Sequence, residues 1–200
     1  MRIGTIVAAL ALETDNDAVA ARSAQLASRH GARLIFVHVI EEAIPDGWPG
    51  SPDVAALRGM LERNASDRIE QMIGDCAPDV AKEIVVRTGK PYKVIDEVVK
   101  QEDADLVVIG PGKARSVREK VFGSTADRIV RSSSRPVLIV RSSTADAYRH
   151  LVMAVDFSAA SRAAANAAMS LAPDAAVELV HAVEIPLGFE QAMLKAGTPQ

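Results

Sequence analysis

The sequence predicts an α/β fold: a doubly wound, five-stranded parallel sheet, followed by a partial second strand-helix-strand unit. Three observations carry this. Short apolar runs alternate five times with longer helical patterns over the first 140 or so residues. Several of those runs are apolar without alternation, as in strands buried on both faces. The opening pattern then returns at residue 151, as though one unit had begun again.

The elements follow in order. Ile3 to Leu10 reads as the first strand. Asp15, Asn16 and Asp17 offer caps for a helix from Ala18 to His30, with Val19, Ala20, Ala24, Leu26 and Ala27 on its apolar side and Gly31 ending it. Leu34 to Ile40 is a second buried strand. A loop rich in breakers (Pro45, Gly47, Pro49, Gly50, Pro52) precedes a long helix from Asp53, whose stripe is Val54, Leu57, Leu61, Ala65, Ile69 and Met72. Glu83 to Arg87 is a third strand, broken by Gly89. Tyr92, Ile95, Val98 and Val99 mark a third helix, and Leu106 to Ile109 a fourth strand. A helix carrying Ile129 and Val130 leads to the fifth strand, Pro136 to Val140, whose opening proline suits a sheet edge. A flavodoxin-like layout would set the first and fourth strands side by side, and ligands of such sheets bind where the strand order reverses.

Composition is that of an ordinary globular chain: 200 residues, 48% hydrophobic, 24% charged, net charge -3. That balance gives no sign of a nucleic-acid surface. No apolar run is long enough to span a bilayer. The apolar N-terminus resembles a weak signal peptide, but the same pattern at residues 151–155 could not act as one, so the expected location is cytoplasmic. The single cysteine, Cys76, excludes an internal disulfide framework and any Cys-rich zinc site.

The stretch with chemistry in it starts where the fourth strand ends, at Gly110-Pro111-Gly112-Lys113. Glycine there lets the backbone turn sharply and approach a ligand. Nine residues separate Lys113 from Gly123-Ser124, where the next helix opens. Ser124 and Asp127 have capping-box spacing, so Ser124 is expected as the cap. Free amides and the positive helix end favour an anion, and Lys113, Arg115, Arg118 and Lys120 add positive charge. The segment therefore reads as a phosphate-facing loop, although a turn and a helix cap alone would give the same letters. It is not a P-loop, because Val107 stands where the first glycine is required and Ala114 follows the lysine. Nor is it a dinucleotide fingerprint, because Arg115 occupies the third glycine position.

Ile6-Val-Ala-Ala-Leu-Ala11 matches Leu151-Val-Met-Ala-Val-Asp156 at an offset of 145 residues, and Val37-His-Val-Ile-Glu41 matches Val180-His-Ala-Val-Glu184 after a two-residue contraction. Residues 1–141 thus read as a complete unit, 142–149 as a linker, and 150–200 as a partial second copy. The second copy stops after its second strand and is expected to be a truncated part of a tandem protein. A lone strand-helix-strand buries too little to be stable alone.

The five-fold alternation, the His-Val-Ile end of strand two, and the Gly110…Gly123-Ser124 loop closed by Arg-Pro-Val-Leu-Ile-Val resemble the universal stress protein family. In members of that family that bind ATP, a loop of glycine, two residues, glycine, nine residues, glycine and Ser or Thr holds the phosphates. An aspartate after strand one and main chain near the end of strand two hold the nucleoside. The resemblance therefore implies a nucleotide site at Ala11, Val39, Gly110, Gly112, Lys113, Gly123, Ser124 and Thr125, with ATP and its Mg²⁺ as the ligand. Two positions depart from the pattern. Lys113 stands at the second glycine, with Gly112 one place earlier, and Ala11 stands at the aspartate, which only the second copy has, as Asp156. Asp156 is read as a cap for a helix starting near Ser158 or Ser161. A composite site across the copies is set aside, because each family site is built within one sheet.

Other residues take plain readings. His38 and His181 are expected to be packed, with one nitrogen bonded to main chain. Glu41, Glu42 and Asp46 read as solvated loop charges, and Trp48 as a partner anchor or a lid over the helix after it. No catalytic set is identifiable, so no enzyme is expected beyond weak ATP hydrolysis. Two functions stay open: a stress-response or regulatory module that binds an adenine nucleotide, or a nucleotide-free interaction module. The resemblance also implies a homodimer through the edge strand 136–140, and neither a nucleic acid nor a membrane is expected as partner.

Overall fold

The sheet grows outward from its two most buried strands, Thr5–Ala9 (β1) and Leu106–Ile109 (β4). Leu106, Val107 and Val108 have no exposed surface, which is why the run carries no polar residue. A computed structural model describes residues 2–12, 17–41, 52–74, 78–112, 123–141 and 146–184. The chain divides into two compact units, Met1–Asp146 and Ala147–Gln200.

In the first unit the remaining elements are α1 (Asp17–His30), β2 (Arg33–Ile40), α2 (Pro52–Ile73), β3 (Lys82–Thr88), α3 (Pro91–Gln101), α4 (Ser124–Ser132) and β5 (Val137–Ile139). The five strands are all parallel in the order β3-β2-β1-β4-β5. β1 and β4 are neighbours, as expected, with Ala9 opposite Ile109, and β5 is an edge strand as Pro136 suggested. The order corrects the flavodoxin comparison: a 2-1-3-4-5 sheet would set the third strand beside the first, whereas here β2 and β3 lie on one side of β1 and β4 and β5 on the other. The reversal therefore falls between β1 and β4.

Side chains alternate between the two faces of each strand. Val7, Ile35, Val37, Val107 and Ile109 form one core with Ile95, Val98 and Val99 of α3 and Ala126 and Ile129 of α4. The opposite face, with Leu34 and Phe36 wholly buried, is covered by α1 and α2. Val19, Ala20, Ala24, Leu26 and Ala27 of α1 are all buried, so its small residues do allow close packing.

Two expected stripes are only partly buried. On α2, Ala65 and Ile69 are buried, but Leu57 and Leu61 are 43% and 42% exposed. A helix of 22 residues runs about 33 Å, against about 26 Å for the eight residues of β2, so its first turns extend past the sheet they would cover. On α4, Ile129 is buried while Val130 is exposed, since consecutive helical residues point about 100° apart. Val54, Cys76, Trp48, Glu42, Asp46 and the caps Asp15 and Asn16 lie outside the residues whose side chains are described.

Polar groups secure the amino ends of the central strands. The Asp105 carboxylate, just before β4, accepts from the amides of Gly4 (2.7 Å) and Thr5 (3.1 Å). Arg33, opening β2, pairs with Glu83 and Glu102. Arg22 is buried in α1 and donates to Gln25 Oε1 and to the Asp146 carbonyl.

The second unit contains β6 (His150–Ala154), α5 (Ala159–Leu171) and β7 (Ala176–Val180), the two strands parallel in a sheet of their own. It repeats β1, α1 and β2 but not their burial: Val177 and Leu179, which match the wholly buried Leu34 and Phe36, are 47% and 65% exposed. Among the described residues no helix is long and apolar enough to cross a membrane.

Candidate functional site

The carboxyl ends of β1, β2 and β4 meet on one rim of the sheet. Leu10 N donates to Val37 O, and Val140 N to Ile109 O, each at 2.8 Å, which extends the strand alignment by one residue past the ladders. Ala11, Val39 and Gly110 therefore emerge side by side, Ala11 exposed and the other two half-buried.

Beyond β4 the chain doubles back on itself. Gly112 has φ +72°, and a Cβ placed on it would lie 3.4 Å from Gly123 Cα. Gly123 N donates to Pro111 O at 2.8 Å. The two ends of the loop are thus joined backbone to backbone, with Gly110–Gly112 on one side and the start of α4 on the other. This juxtaposition needs a left-handed residue at 112 and no bulky side chain at either contact point.

Ser124 is not the helix cap. Gly123 holds that position in extended conformation, with no side-chain cap bond, and Ser124 is the first helical residue. The bond from Gly123 N to Pro111 O and the contact with Gly112 fix the chain's entry angle one residue earlier than the capping-box spacing suggests. The first intrahelical bond is Asp127 N to Gly123 O, so the amides of Ser124, Thr125 and Ala126 precede it and can serve a ligand. Asp127 itself does not cap. Both its oxygens accept from Arg131 Nε at 3.0 and 2.9 Å, which offsets a negative charge that would oppose an anion there. Arg128 lies 5.1 Å from the ring centre of Tyr92 and ties α4 to α3.

Of the residues expected at the site, Gly110, Gly112, Gly123, Ser124 and Thr125 are brought together, and Ala11 and Val39 share their rim. Lys113, with Arg115, Arg118 and Lys120, lies outside the described residues. The sequence reading did not anticipate the part played by Pro111, whose carbonyl closes the loop. It also gave no site role to His38, whose Nδ1 is 2.8 Å from Leu10 O. The signal for the second was present in the repeat, because His181 Nδ1 contacts Val155 O at 2.6 Å in the second unit.

In that unit Asp156 follows β6 but is not the helix cap. Ser158 caps α5 by accepting from Ser161 N at 3.1 Å, and the Asp156 carboxylate accepts from Ser158 N at 2.9 Å. The side chains of Ser158 and then Ser161, with the Ser158 amide, hold the Asp156 carboxyl at a pKa of about 2. Phe157, at φ +61°, packs its ring 4.7 Å from that of His181. Among the described residues, no group of three or more His, Cys, Asp or Glu is placed to hold a metal ion.

Residues 3–141 match the universal stress protein family. The chain is similar to a universal stress protein of Thermus aquaticus, 35% identical over 58% of this chain and 82% of that protein. It is also similar to one of Mycolicibacterium smegmatis, 28% identical over 83% of this chain, of whose length it spans 58%. Among solved structures, a universal stress protein of Lactobacillus plantarum superposes with a TM-score of 0.52 over 70% of this chain and 99% of its own, at 19% identity. A universal stress protein solved in complex with cAMP gives a TM-score of 0.49 at 24% identity, over 70% of this chain and 98% of its own.

Proposed function

The chain belongs to the universal stress protein family, and from that premise we propose that its first unit is a regulatory module that binds an adenine nucleotide. The observation that carries this is the approach of Gly112 to Gly123. It sets a glycine turn against a helix start that has no side-chain cap among the described residues, at the reversal of strand order, where open sheets bind ligands. Phosphates lie against the amides of Ser124, Thr125 and Ala126, and the nucleoside lies along the rim at Ala11 and Val39. Mg²⁺ enters on the phosphates with most of its waters, as that ion prefers, and needs no dedicated protein cage. The role is one of binding in a cytoplasmic stress response, without catalysis.

A second reading, a nucleotide-free module that acts through dimerisation, is favoured by Ala11. Loss of a carboxylate that hydrogen-bonds a ligand costs about 1.5–3 kcal/mol, roughly ten- to a hundred-fold in affinity. Lys113 either crowds the phosphates or meets them as a point charge. The surface for pairing is β5, a sheet edge whose Val137, Leu138 and Ile139 are half-buried.

Titration calorimetry of ATP with Mg²⁺ separates the readings, using wild type and a variant combining Lys113→Gly with Ala11→Asp. Micromolar binding by wild type supports the nucleotide module. Binding by the variant alone means that this copy has kept the fold without the ligand. Light scattering on wild type and Val137→Lys tests the pairing: a wild-type dimer should become monomeric, and a wild-type monomer overturns β5 as a dimer surface.

A further inference from the structure

We propose that His38 is a positioning residue for the nucleoside side of the site, acting as a clasp between the ends of β1 and β2. The inference rests on the nucleotide-binding reading above. A carbonyl oxygen can only accept, so the 2.8 Å contact with Leu10 O places the proton on His38 Nδ1. The same leucine donates its amide to Val37 O. Leu10 is thus held in both directions by adjacent residues of β2, one through main chain and one through a side chain. It lies one residue beyond the last ladder pair of β1, Ala9 with Val37.

What the clasp holds is the site itself. Ala11 directly follows Leu10, and Val39 directly follows His38. Fixing the Leu10–His38 pair therefore sets the spacing of the two backbone segments that face the nucleoside.

The second unit repeats the device. Val155 N donates to Val180 O at 2.8 Å, and His181 Nδ1 contacts Val155 O at 2.6 Å. The residues that follow are Asp156 and Ala182, the counterparts of Ala11 and Val39. His38 is half-buried and His181 exposed, and Val177 and Leu179 are exposed where Leu34 and Phe36 are buried, yet the bond is the same. The shared feature is the pair of strand ends it joins.

The test uses the full chain with His38→Leu, which removes the donor, and His38→Asn, whose amide nitrogen can stand where Nδ1 stands. Nitrogen-15 NMR of the imidazoles in wild type should show a proton on Nδ1 of both His38 and His181. Amide exchange at Ala11 and Val39 should quicken in the Leu variant and return toward wild type in the Asn variant. ATP affinity should fall roughly three- to ten-fold in the Leu variant and recover in the Asn variant. An Nδ1 without a proton, unchanged exchange at Ala11 and Val39 in a folded Leu variant, or an Asn variant no better than Leu would each overturn the clasp. If wild type binds no nucleotide, the binding reading fails and with it the site role of His38, whereas the tautomer and exchange results still decide whether the clasp exists.

Discussion

Replacing Gly112 with alanine tests the loop geometry most directly. At φ +72° an L residue sits in the left-handed region, at a cost of about 1–2 kcal/mol. The new methyl would lie 3.4 Å from Gly123 Cα and 3.7 Å from its nitrogen, which is ordinary contact and adds little. The expected loss is therefore about 1–2 kcal/mol, or roughly 2–8 °C in Tm for a unit of this size. Gly31→Ala supplies the control. Its φ is +61°, and a Cβ there meets nothing within 4 Å, so it carries the backbone cost without the contact. Both variants should melt alike by circular dichroism, while only Gly112→Ala should also weaken ATP binding, because its methyl fills the gap between the loop and the start of α4. Gly112→Ala melting like wild type, or equal loss of affinity in both variants, would refute the reasoning.

Two further outcomes are expected. Ile69→Ala on α2 removes a side chain with no exposed surface and should cost about 2–5 kcal/mol. Leu57→Ala, on the same helix but 43% exposed, should cost less than about 1 kcal/mol; equal losses in urea denaturation would contradict the placement of α2. For Asp156, the folded pKa of about 2 lies below the ordinary 3.8, so its contribution to stability is fully present above pH 3.8 and is lost as pH falls through about 2. Carboxyl titration by NMR should give that low midpoint in wild type and a higher one in Ser158→Ala; a wild-type midpoint near 3.8 would mean that the turn around Ser158 does not form.

Much of the fold was legible because burial leaves a local mark. Leu106–Ile109 could be recognised as a central strand from four apolar letters, since a strand covered on both faces has no place for a polar one. Pro136 marked an edge because it has no amide to give a neighbour. The stripe of α2 was less readable. Leu57 and Leu61 have helical spacing whether or not a sheet reaches them, and only the relative lengths of α2 and β2 decide that they stay exposed.

By itself, then, the sequence determined the order and type of the elements, the doubly wound parallel class, the repeat of β1, α1 and β2, and the glycines on which the candidate loop depends. These follow from periodicity and from backbone freedom, which are properties of neighbouring residues. Tertiary structure decided what depends on residues far apart in the chain. It placed the cap of α4 at Gly123 rather than Ser124, because Pro111 O and Gly112 meet the helix start from the other end of the loop. It also identified the main-chain partner of His38, a bond expected from the sequence without its acceptor, since 28 positions of sequence separate His38 from Leu10 and only the sheet brings them within 2.8 Å.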